Sequence, residues 1–462
     1  MKLKYAYNGI CLVAVFGFSS LAQAQTLQEA IQLTIYKNPQ IQSAKSERLA
    51  VEHEIDQAKA GYFPTIDVAA GIGWEQSNNP GTRGRRNSDV HRGREETSIL
   101  LRQMVFDGFS TSSEVRRHRA RTNARAHTVY GQSEIIGLNA VEAYINVLRR
   151  QELLALAKEN LVIHRKTNDQ INLRSKSGVG RAADAEQSYG RLALAERNTL
   201  SETGNLQDAE TAFLRVVGEL PKDLTAVPSP SKPSDDFPET LDQALEQALD
   251  NHPTLKSANS DVDSAFAQHS TAKAAYMPRL DVEAGATHND DLDGTEGVNE
   301  DAFVMLRLRY NILNGGRDLA RRKETAELIN QAKNIRDNTY RQVIESMRLS
   351  WVAHQTIKHQ LIFFKEHMDA STKSNEAYQK QFNFGQRTLL DLLDSANEMF
   401  VAKSAYTEAK YDLLFSEYRI LTSKGELNKY LGTELPEEVK TIADEIEMLE
   451  AKEKARYSEN NS

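Results

Sequence analysis

The residues Phe382-Asn-Phe-Gly385-Gln-Arg-Thr-Leu-Leu-Asp391-Leu-Leu-Asp394-Ser395 lie between two long tracts that are rich in helix-forming side chains. Glycine commonly ends a helix and lets the chain reverse. An earlier stretch, Gly178-Val-Gly-Arg-Ala-Ala-Asp184, has the same layout, because in both an aspartate follows a glycine after six residues. The sequence therefore predicts the same helical reversal twice.

Both reversals belong to a tandem repeat of the whole chain. Tyr62-Phe-Pro64 recurs as Tyr276-Met-Pro278, 214 positions later, whereas Gly178 recurs as Gly385, 207 positions later. The seven-residue difference arises in the polar tract of residues 75–96, which we expect to be a surface loop. We expect one repeat over residues 25–220 and a second over 240–433. A proline-rich crossing (221–239) separates them, and a loosely held acidic tail (434–462) follows.

The N-terminus has the pattern of a secretory signal peptide. Met1-Lys-Leu-Lys4 precedes an apolar run at residues 10–18, and Ala22-Gln-Ala24 supplies small residues for cleavage after Ala24. The run is too short for a membrane anchor, which needs about 20 apolar residues. The only cysteine of the chain, Cys11, lies inside this run. Cleavage would leave neither disulfides nor thiolate chemistry in the mature chain.

Composition excludes some classes of partner and structure. The 462 residues are 40% hydrophobic and 26% charged, with 11 prolines, which favours long helices over several globular cores. The net charge of −8 argues against a nucleic-acid partner. Beyond the signal, no apolar run is long enough for a membrane helix, so a membrane-spanning part would have to consist of strands.

Each repeat contains two segments with the alternation of strands. Residues 66–74 and 97–106 form the first pair, and residues 280–287 and 304–309 form the second. A tilted strand of about ten residues can cross a bilayer. Solvent-exposed hairpins on a soluble protein are the alternative. The basic loop at residues 78–94 and the acidic loop at 289–301 are expected to carry solvated charge rather than ion pairs.

The helical tracts have matching lengths. Seventy positions separate Gly108 from Gly178 and Gly315 from Gly385, which gives about 105 Å at about 1.5 Å per residue. Residues 184–220 and 241–278 together match one long helix, so we expect them to stack end to end. Residues 27–64 would likewise stack on the helix that starts at Asp391. Four strands cannot close a barrel alone, so other protomers must complete it.

With these features the chain resembles the TolC family of outer-membrane channels. The resemblance rests on the tandem repeat, on Tyr62-Phe-Pro64 with Tyr276-Met-Pro278, and on the turn from Gly385 to Asp394. It implies an α+β membrane protein that forms a homotrimer, with a 12-stranded transmembrane β-barrel continuous with an α-helical coiled-coil barrel. It also implies a periplasmic adaptor and an inner-membrane transporter, most simply of the ABC type, as partners.

The resemblance also implies roles for residues at the two turns. Asp391 and Asp394 match two rings of aspartates at the periplasmic mouth, and Arg387 and Asp184 match an ion pair that holds the mouth shut. Gly178, Gly385 and Thr388 lie on the turns that would dock the adaptor.

Other features of the turns support these roles or limit them. Phe382 and Ala183 depart from the family pattern, in which a tyrosine and a threonine add closing bonds. Asp391 and Asp394 are three residues apart and share a helix face, although a helix cap is the ordinary role of such an aspartate.

Several functions remain as alternatives. The first turn looks like that of the branch that exports large adhesins, which favours type I protein secretion, and small-molecule or multidrug efflux is the second candidate. A soluble periplasmic coiled-coil scaffold is a remote third. An enzyme is excluded because Gly178-Val-Gly-Arg follows a long helix instead of a strand, and no nucleophile motif is present. The sequence predicts neither a cofactor nor a metal site, and cargo and partners stay open.

Overall fold

Ten α-helices account for most of the residues that the structure describes. The computed structural model describes residues 24–83, 90–230 and 237–445, so all but the last residue of the predicted signal peptide, and the end of the acidic tail, lie outside it. None of the helices in these ranges is long and apolar enough to span a lipid bilayer. The helices are α1 (Leu27–Lys37), α2 (Pro39–Ala60), α3 (Pro80–Arg83), α4 (Ser110–Lys176), α5 (Ala182–Val217), α6 (Leu241–Asn251), α7 (Pro253–Ala274), α8 (Arg317–Asn383), α9 (Leu389–Lys424) and α10 (Leu427–Leu431).

Local sequence explains where these helices begin and end. Thr26 caps α1 in a capping box with Glu29, and Asn38-Pro39 both ends α1 and starts α2. His252-Pro253 plays the same part between α6 and α7. The two long helices, α4 and α8, are each 67 residues and continuous, about 100 Å at about 1.5 Å per residue.

Four strands form one antiparallel sheet in the order β1 (Thr65–Ser77), β2 (Val90–Phe106), β3 (Arg279–Asp290) and β4 (Val298–Arg309). The strands have 13, 17, 12 and 12 residues, longer than predicted. The expected loop over residues 75–96 is wrong in large part, because β2 already begins at Val90 and pairs with β1 up to Ser77. A hairpin with long strands costs fewer unpaired backbone groups than a long loop does.

The sheet has one apolar and one charged face. Ile66, Val68, Val304 and Leu306 lie on the apolar face, and each of these side chains is more than 60% exposed. On the other face Asp281 and Glu283 are almost fully buried beneath arginines. The ion pairs are Arg309 Nη1 to Asp281 Oδ2, 2.9 Å; Arg279 Nε to Asp281 Oδ2, 3.0 Å; Arg309 Nη2 to Glu283 Oε1, 2.5 Å; Arg307 Nε to Glu283 Oε2, 2.6 Å; and Arg102 Nε to Glu283 Oε1, 3.2 Å.

The charges near the strand tips pair instead of standing alone in solvent. Arg92 Nη2 lies 2.9 Å from Glu296 Oε2, and Arg94 Nη1 lies 2.6 Å from Glu75 Oε2. Arg92 also reaches Asp291 at 3.5 Å. The expectation of solvated charge at these residues was therefore wrong. Because β2 extends further than predicted, its arginines lie beside the acidic loop of the second hairpin. A loop over residues 75–96 would not hold them there.

The long helix α4 is the centre of the helical wall. In its N-terminal half it packs on α2 and α7, where Arg121 pairs with Glu54 and Ser257 Oγ donates to Ala124 O at 3.0 Å. In its C-terminal half it packs on α5 and α9, where Arg149 lies 3.0 Å from Asp412. Helix α8 packs on α6 and α7 in the half nearer the strands and on α9 in the half nearer the turn.

The short helices stack in pairs, but not in the predicted pairs. Helix α5 ends at the α1–α2 junction, where Asn38 Nδ2 donates to Val216 O at 3.3 Å and Lys37 pairs with Glu219. Helix α9 ends at the α6–α7 junction, where Asn251 Nδ2 donates to Glu426 Oε1 at 3.2 Å. Each stack thus joins helices of the same half of the chain, whereas we expected α5 with α6–α7. The prediction was wrong because summed helix lengths give the length of a stack but do not show which helices stack on each other.

The main core lies at mid-height, where the stacks meet. Tyr144, Phe213 and Tyr418 are fully buried, and the Tyr144 hydroxyl donates to Gln25 O at 2.7 Å. Nearby, the buried carboxylate of Glu134 accepts the backbone N–H groups of Leu427 and Asn428, which anchors α10 to α4. Burial raises the pKa of Glu134 to about 7, against the effect of these hydrogen bonds.

The first part of the acidic tail is held firmly, contrary to the prediction. Arg48, which is 3% exposed, pairs with Glu445, and Lys45 lies 3.4 Å from Glu438. The Ile442 N–H donates to Asn123 Oδ1 at 2.9 Å. Residues 434–445 therefore run across α2 and α4, because basic and amide side chains there match the acidic tail.

Two glycines with the same φ offer a matched test of helix stacking. Gly425 and Gly385 both have φ +74°, but a Cβ on Gly425 would lie 2.6 Å from Pro253 Cδ, whereas one on Gly385 would meet nothing within 4 Å. We expect Gly385→Ala to cost about 1–2 kcal/mol from left-handed backbone strain. Gly425→Ala should cost a further ~1–3 kcal/mol from the clash. Thermal unfolding followed by circular dichroism in detergent measures both, and equal midpoints would contradict the stacking.

Candidate functional site

The two predicted turns close with the same backbone hydrogen bonds. Gly178 and Gly385 follow the ends of α4 and α8 with φ +77° and +74°. The Val179 N–H donates to Arg174 O at 3.1 Å, and the Gln386 N–H donates to Gln381 O at 2.9 Å, each spanning five residues. This is the Schellman-type ending that a left-handed glycine allows. The prediction of one kind of turn, made twice, is confirmed.

Asp391 caps its own helix. The Thr388 backbone N–H donates to Asp391 Oδ2 at 3.2 Å, and the Asp391 N–H donates to Thr388 Oγ1 at 3.2 Å, which forms a capping box. Hydrogen bonds from the Thr388 side chain and backbone lower the pKa of Asp391. The carboxylate is therefore ionised and fixed in position at the start of α9. Thr388 is thus first a helix cap.

Arg387 is held by its own hairpin. Its Nε donates to Gln381 Oε1 at 2.9 Å, its guanidinium lies 4.5 Å from the centre of the Tyr378 ring, and Nη1 is 4.0 Å from Asp391. Asp184 lies in the first turn of α5, next to Ala183. Among the described residues of this single chain, Arg387 makes no ion pair with Asp184. The predicted ion pair of these two residues therefore stays a prediction for the contact between two copies of the chain.

Asp394 connects the two hairpins through a residue that the sequence analysis missed. Its Oδ1 lies 2.8 Å from Arg191 Nη2 of α5. Arg191 follows Asp184 by seven residues, two helical turns, so both project from one face of α5. That spacing was the feature of the sequence from which Arg191 could have been identified. Asp391 and Asp394 are therefore close to each other but make different contacts. Asp391 caps α9, and Asp394 links α9 to α5 through an ion pair.

Near each turn, an equivalent serine–asparagine hydrogen bond joins the two helices of the hairpin. Ser188 Oγ donates to Asn168 Oδ1 at 2.9 Å, and Ser395 Oγ donates to Asn375 Oδ1 at 3.1 Å. Both residues of the second pair lie 207 positions after those of the first. Each bond joins the descending to the ascending helix. These pairs were also missed, although the offset of the repeat could have found them.

Phe382 holds the turns together from the apolar side. It is 6% exposed and packs in a small cluster, and the Arg174 guanidinium of the other hairpin lies 5.1 Å from its ring centre. The cluster consists of Ile171, Phe382, Leu389, Leu392 and Leu393. A tyrosine hydroxyl at this position would need a polar partner, so the phenylalanine replaces a hydrogen bond with packing.

The tips beyond these contacts are exposed. Val179 and Phe384 are 83% and 80% exposed, one on each turn, beside Gly178 and Gly385. No group of three or more histidine, cysteine, aspartate or glutamate side chains in the described ranges is placed to hold a metal ion. The turns therefore present two apolar tips and, behind them, the carboxylates of Asp391 and Asp394. Such carboxylates attract cations.

Comparison with known proteins agrees with this architecture. The sequence profile of the family described as "Outer membrane efflux protein" matches residues 22–219 and 244–426. Outer membrane efflux protein BepC of Brucella suis biovar 1 (strain 1330) is 24% identical over 407 residues, 88% of this chain and 86% of BepC. Outer membrane protein TolC of Escherichia coli (strain K12) is 22% identical over 429 residues, 90% and 85% of the two chains.

A solved structure shares the fold. The outer-membrane channel OprN superposes with a TM-score of 0.73 at 17% identity, covering 86% of this chain and 89% of that one. The fold of mainly long helices with one small sheet is thus that of outer-membrane channels, and the resemblance to TolC is confirmed. Because the family profile covers most of both halves, the chain belongs to the outer membrane efflux protein family and is a protein of the outer membrane.

Proposed function

We propose that three copies of this chain form the outer-membrane channel of a tripartite export system. The observation that carries the proposal is the four-stranded sheet, whose apolar face is exposed and which continues into helices of 67 residues. In lipid, the apolar face would point outward and the arginine-rich face would line a pore. The helices would extend the pore across the periplasm. The role is passage, and no catalytic step is assigned to any residue.

Closure of the barrel requires copies of the chain. Strands β1 and β4 are the outer strands of the sheet, and each has one edge without a neighbouring strand in the described chain. Unpaired backbone groups in hydrocarbon cost several kcal/mol each, so an open sheet cannot remain in a bilayer. Three copies give twelve strands and remove every edge. A threefold assembly also places three copies of each turn around one axis.

The tandem repeat supports this arrangement. In each half the four main helices have 11, 22, 67 and 36 residues, and two strands follow the second of them. We therefore keep repeats at residues 25–220 and 240–433, with the crossing at 221–239 and the signal peptide at 1–24. Two similar hairpins per copy would give six pseudo-equivalent units around the tunnel.

The turns would form the periplasmic mouth. Rings of Asp391 and Asp394 would make it cation-selective, and Arg387 of one copy would meet Asp184 of the next. The exposed tips at Gly178 and Gly385, with Thr388 behind them, would receive a periplasmic adaptor that also binds an inner-membrane transporter. Exposed apolar side chains such as Val179 and Phe384 suit a contact that forms and breaks.

Type I protein secretion is the proposed route, with an ABC-type transporter. Its support is the first turn, Gly178-Val-Gly-Arg-Ala-Ala-Asp184, which resembles that of adhesin-exporting channels. Efflux of small molecules is the second candidate, and the relative BepC, which is named for efflux, supports it.

Two tests bear on the proposed function. Extraction from membranes should require detergent, because the apolar sheet face would lie in lipid, whereas salt alone would release a soluble coiled-coil scaffold. Deletion of the gene should retain a large secreted protein in the cell and leave drug resistance unchanged. Release by salt would refute the channel, and drug sensitivity with normal secretion would favour efflux over secretion.

Neutralising the mouth should weaken cation selectivity. Asp391→Asn with Asp394→Asn keeps an oxygen for the Thr388 cap but removes six negative charges from a trimer. In a planar bilayer under a KCl gradient, we expect the reversal potential to move towards zero. Glu159→Gln with Glu437→Gln removes as many charges far from the turns and is the control. An unchanged reversal potential would mean that the aspartates do not line the narrowest point.

Loss of the Arg191–Asp394 pair should open the mouth further. Each exposed ion pair contributes about 0–1 kcal/mol, and three of them act on one aperture. We therefore expect Arg191→Gln to raise the mean single-channel conductance by about two- to tenfold, which corresponds to about 0.4–1.4 kcal/mol in the opening equilibrium and lies within the ~3 kcal/mol that three pairs contribute at most. Arg197→Gln, six residues further along α5, is the matched control. Equal conductance of both variants would show that the pair does not restrain the mouth.

A further inference from the structure

The two outer strands of the sheet are suited to pair with each other in different copies. Strand β1 runs from the helices towards the hairpin loops, and β4 runs back from the loops to α8. When β4 of one copy meets β1 of the next, the two strands are antiparallel. This inference rests on the proposed trimer and goes on to specify its seam.

The alternation of side chains restricts how the seam can align. Residues directly opposite each other in a sheet point to the same face. The apolar face carries Ile66 and Val68 of β1 and Val304, Leu306 and Leu308 of β4, all even-numbered. A shift by one residue would turn apolar side chains into the pore. Odd residues of β1 must therefore meet odd residues of β4.

Strand tilt sets the size of the stagger. Within one chain, Asp67 lies level with Leu100, Gly285 and Phe303. Barrel strands tilt by about 35–45°, and four strands spaced about 4.8 Å apart span about 19 Å. The stagger per copy is then about 13–19 Å, which is about four to six residues at about 3.3 Å each. Across the seam, Asp67 of one copy therefore lies opposite Arg307 or Arg309 of the next copy, and not opposite Phe303.

Overlap of the strands gives the direction of the shift. Since β1 covers 65–77 and β4 covers 298–309, shifts towards Arg307 or Arg309 pair about twelve or eleven strand residues. Shifts of the same size the other way would pair only about four or two. Backbone groups left unpaired in lipid are costly, so the longer overlap prevails.

Charge supports the same alignment. In the described chain, Arg102, Arg279, Arg307 and Arg309 surround two carboxylates, Asp281 and Glu283, so positive charge is in excess on this face. Asp67 is exposed and lies on the same face, at the end of β1 nearest the helices. An acidic residue on one edge and an arginine pair on the other are complementary.

We propose that Asp67 of one copy forms an ion pair with Arg307 or Arg309 of the next copy, and that this contact fixes the register of the seam. A side chain directly opposite and its diagonal neighbour two residues on are both within reach of an arginine. The three seams would then each place an acid beside the arginine network that lines the pore.

Cysteine cross-linking tests the register directly. The chain has one cysteine, Cys11, which lies in the predicted signal peptide. Asp67→Cys is combined with Arg307→Cys, with Arg309→Cys, or with Phe303→Cys, which faces the same way but matches an unstaggered seam. Copper–phenanthroline, or a short bis-methanethiosulfonate cross-linker where the Cβ spacing exceeds disulfide range, is applied to intact membranes. Reducible dimers and trimers are expected with Arg307→Cys or Arg309→Cys but not with Phe303→Cys.

The outcomes separate this inference from the proposed trimer. Mass measurement of each variant in detergent reports whether a trimer forms. A trimer that cross-links through position 303, or through none of the three, overturns the register and leaves the channel intact. A monomer in every variant and in the parent protein overturns both.

A second variant tests the charge itself. Asp67→Asn should lower the temperature at which the trimer dissociates on a semi-native gel, and the difference from the parent should shrink in high salt. Asp301→Asn, on the same face but at the other end of the seam, is the matched control. Equal losses in both variants would show that Asp67 has no specific partner across the seam.

Discussion

Backbone hydrogen bonding in lipid is the constraint on which the rest of the structure depends. A sheet of four strands has two open edges, and hydrocarbon offers no water to satisfy them. Once the apolar face of the sheet is in a bilayer, the chain can exist only as part of a closed ring of copies. The proposed trimer would meet this requirement with twelve strands. Its threefold axis would repeat every other property, including the position of the turns and of their charges.

The helices would carry this symmetry away from the sheet because their lengths agree. Helices α4 and α8 have equal lengths, as do α5 and α9, so both turns reach the same depth. The short stacks are interrupted at Asn38-Pro39 and His252-Pro253, and each interruption receives the end of α5 or α9. A difference of a few residues in one helix would place the two turns at different heights and spoil a common mouth.

Much of this could be predicted from local signals, and the errors were in contacts between distant residues. The Asn38-Pro39 break and the glycine turns are set by residues within one helical turn of the feature. The extension of β2 through an arginine-rich tract was missed because its acidic partners, such as Glu296, lie some 200 positions later. Arg191 was missed for the same reason, since its partner Asp394 is on another helix. Family resemblance supplied Asp391 and Asp394 but not what each of them contacts.

Packing explains why movement would occur at the turns and not elsewhere. Nineteen buried residues form the core at mid-height, where Glu134 also anchors α10, whereas the cluster behind the turns has five. Apolar burial is the largest stabilising term in such a structure, so the lower ends of the helices have the smallest resistance to separation. The contacts that remain there are exposed and polar, among them Arg191 with Asp394. The proposed mouth, closed by such contacts, would open without disturbing the core, and the proposed adaptor would need only to favour the open arrangement by a few kcal/mol, roughly the range typical of coupled equilibria.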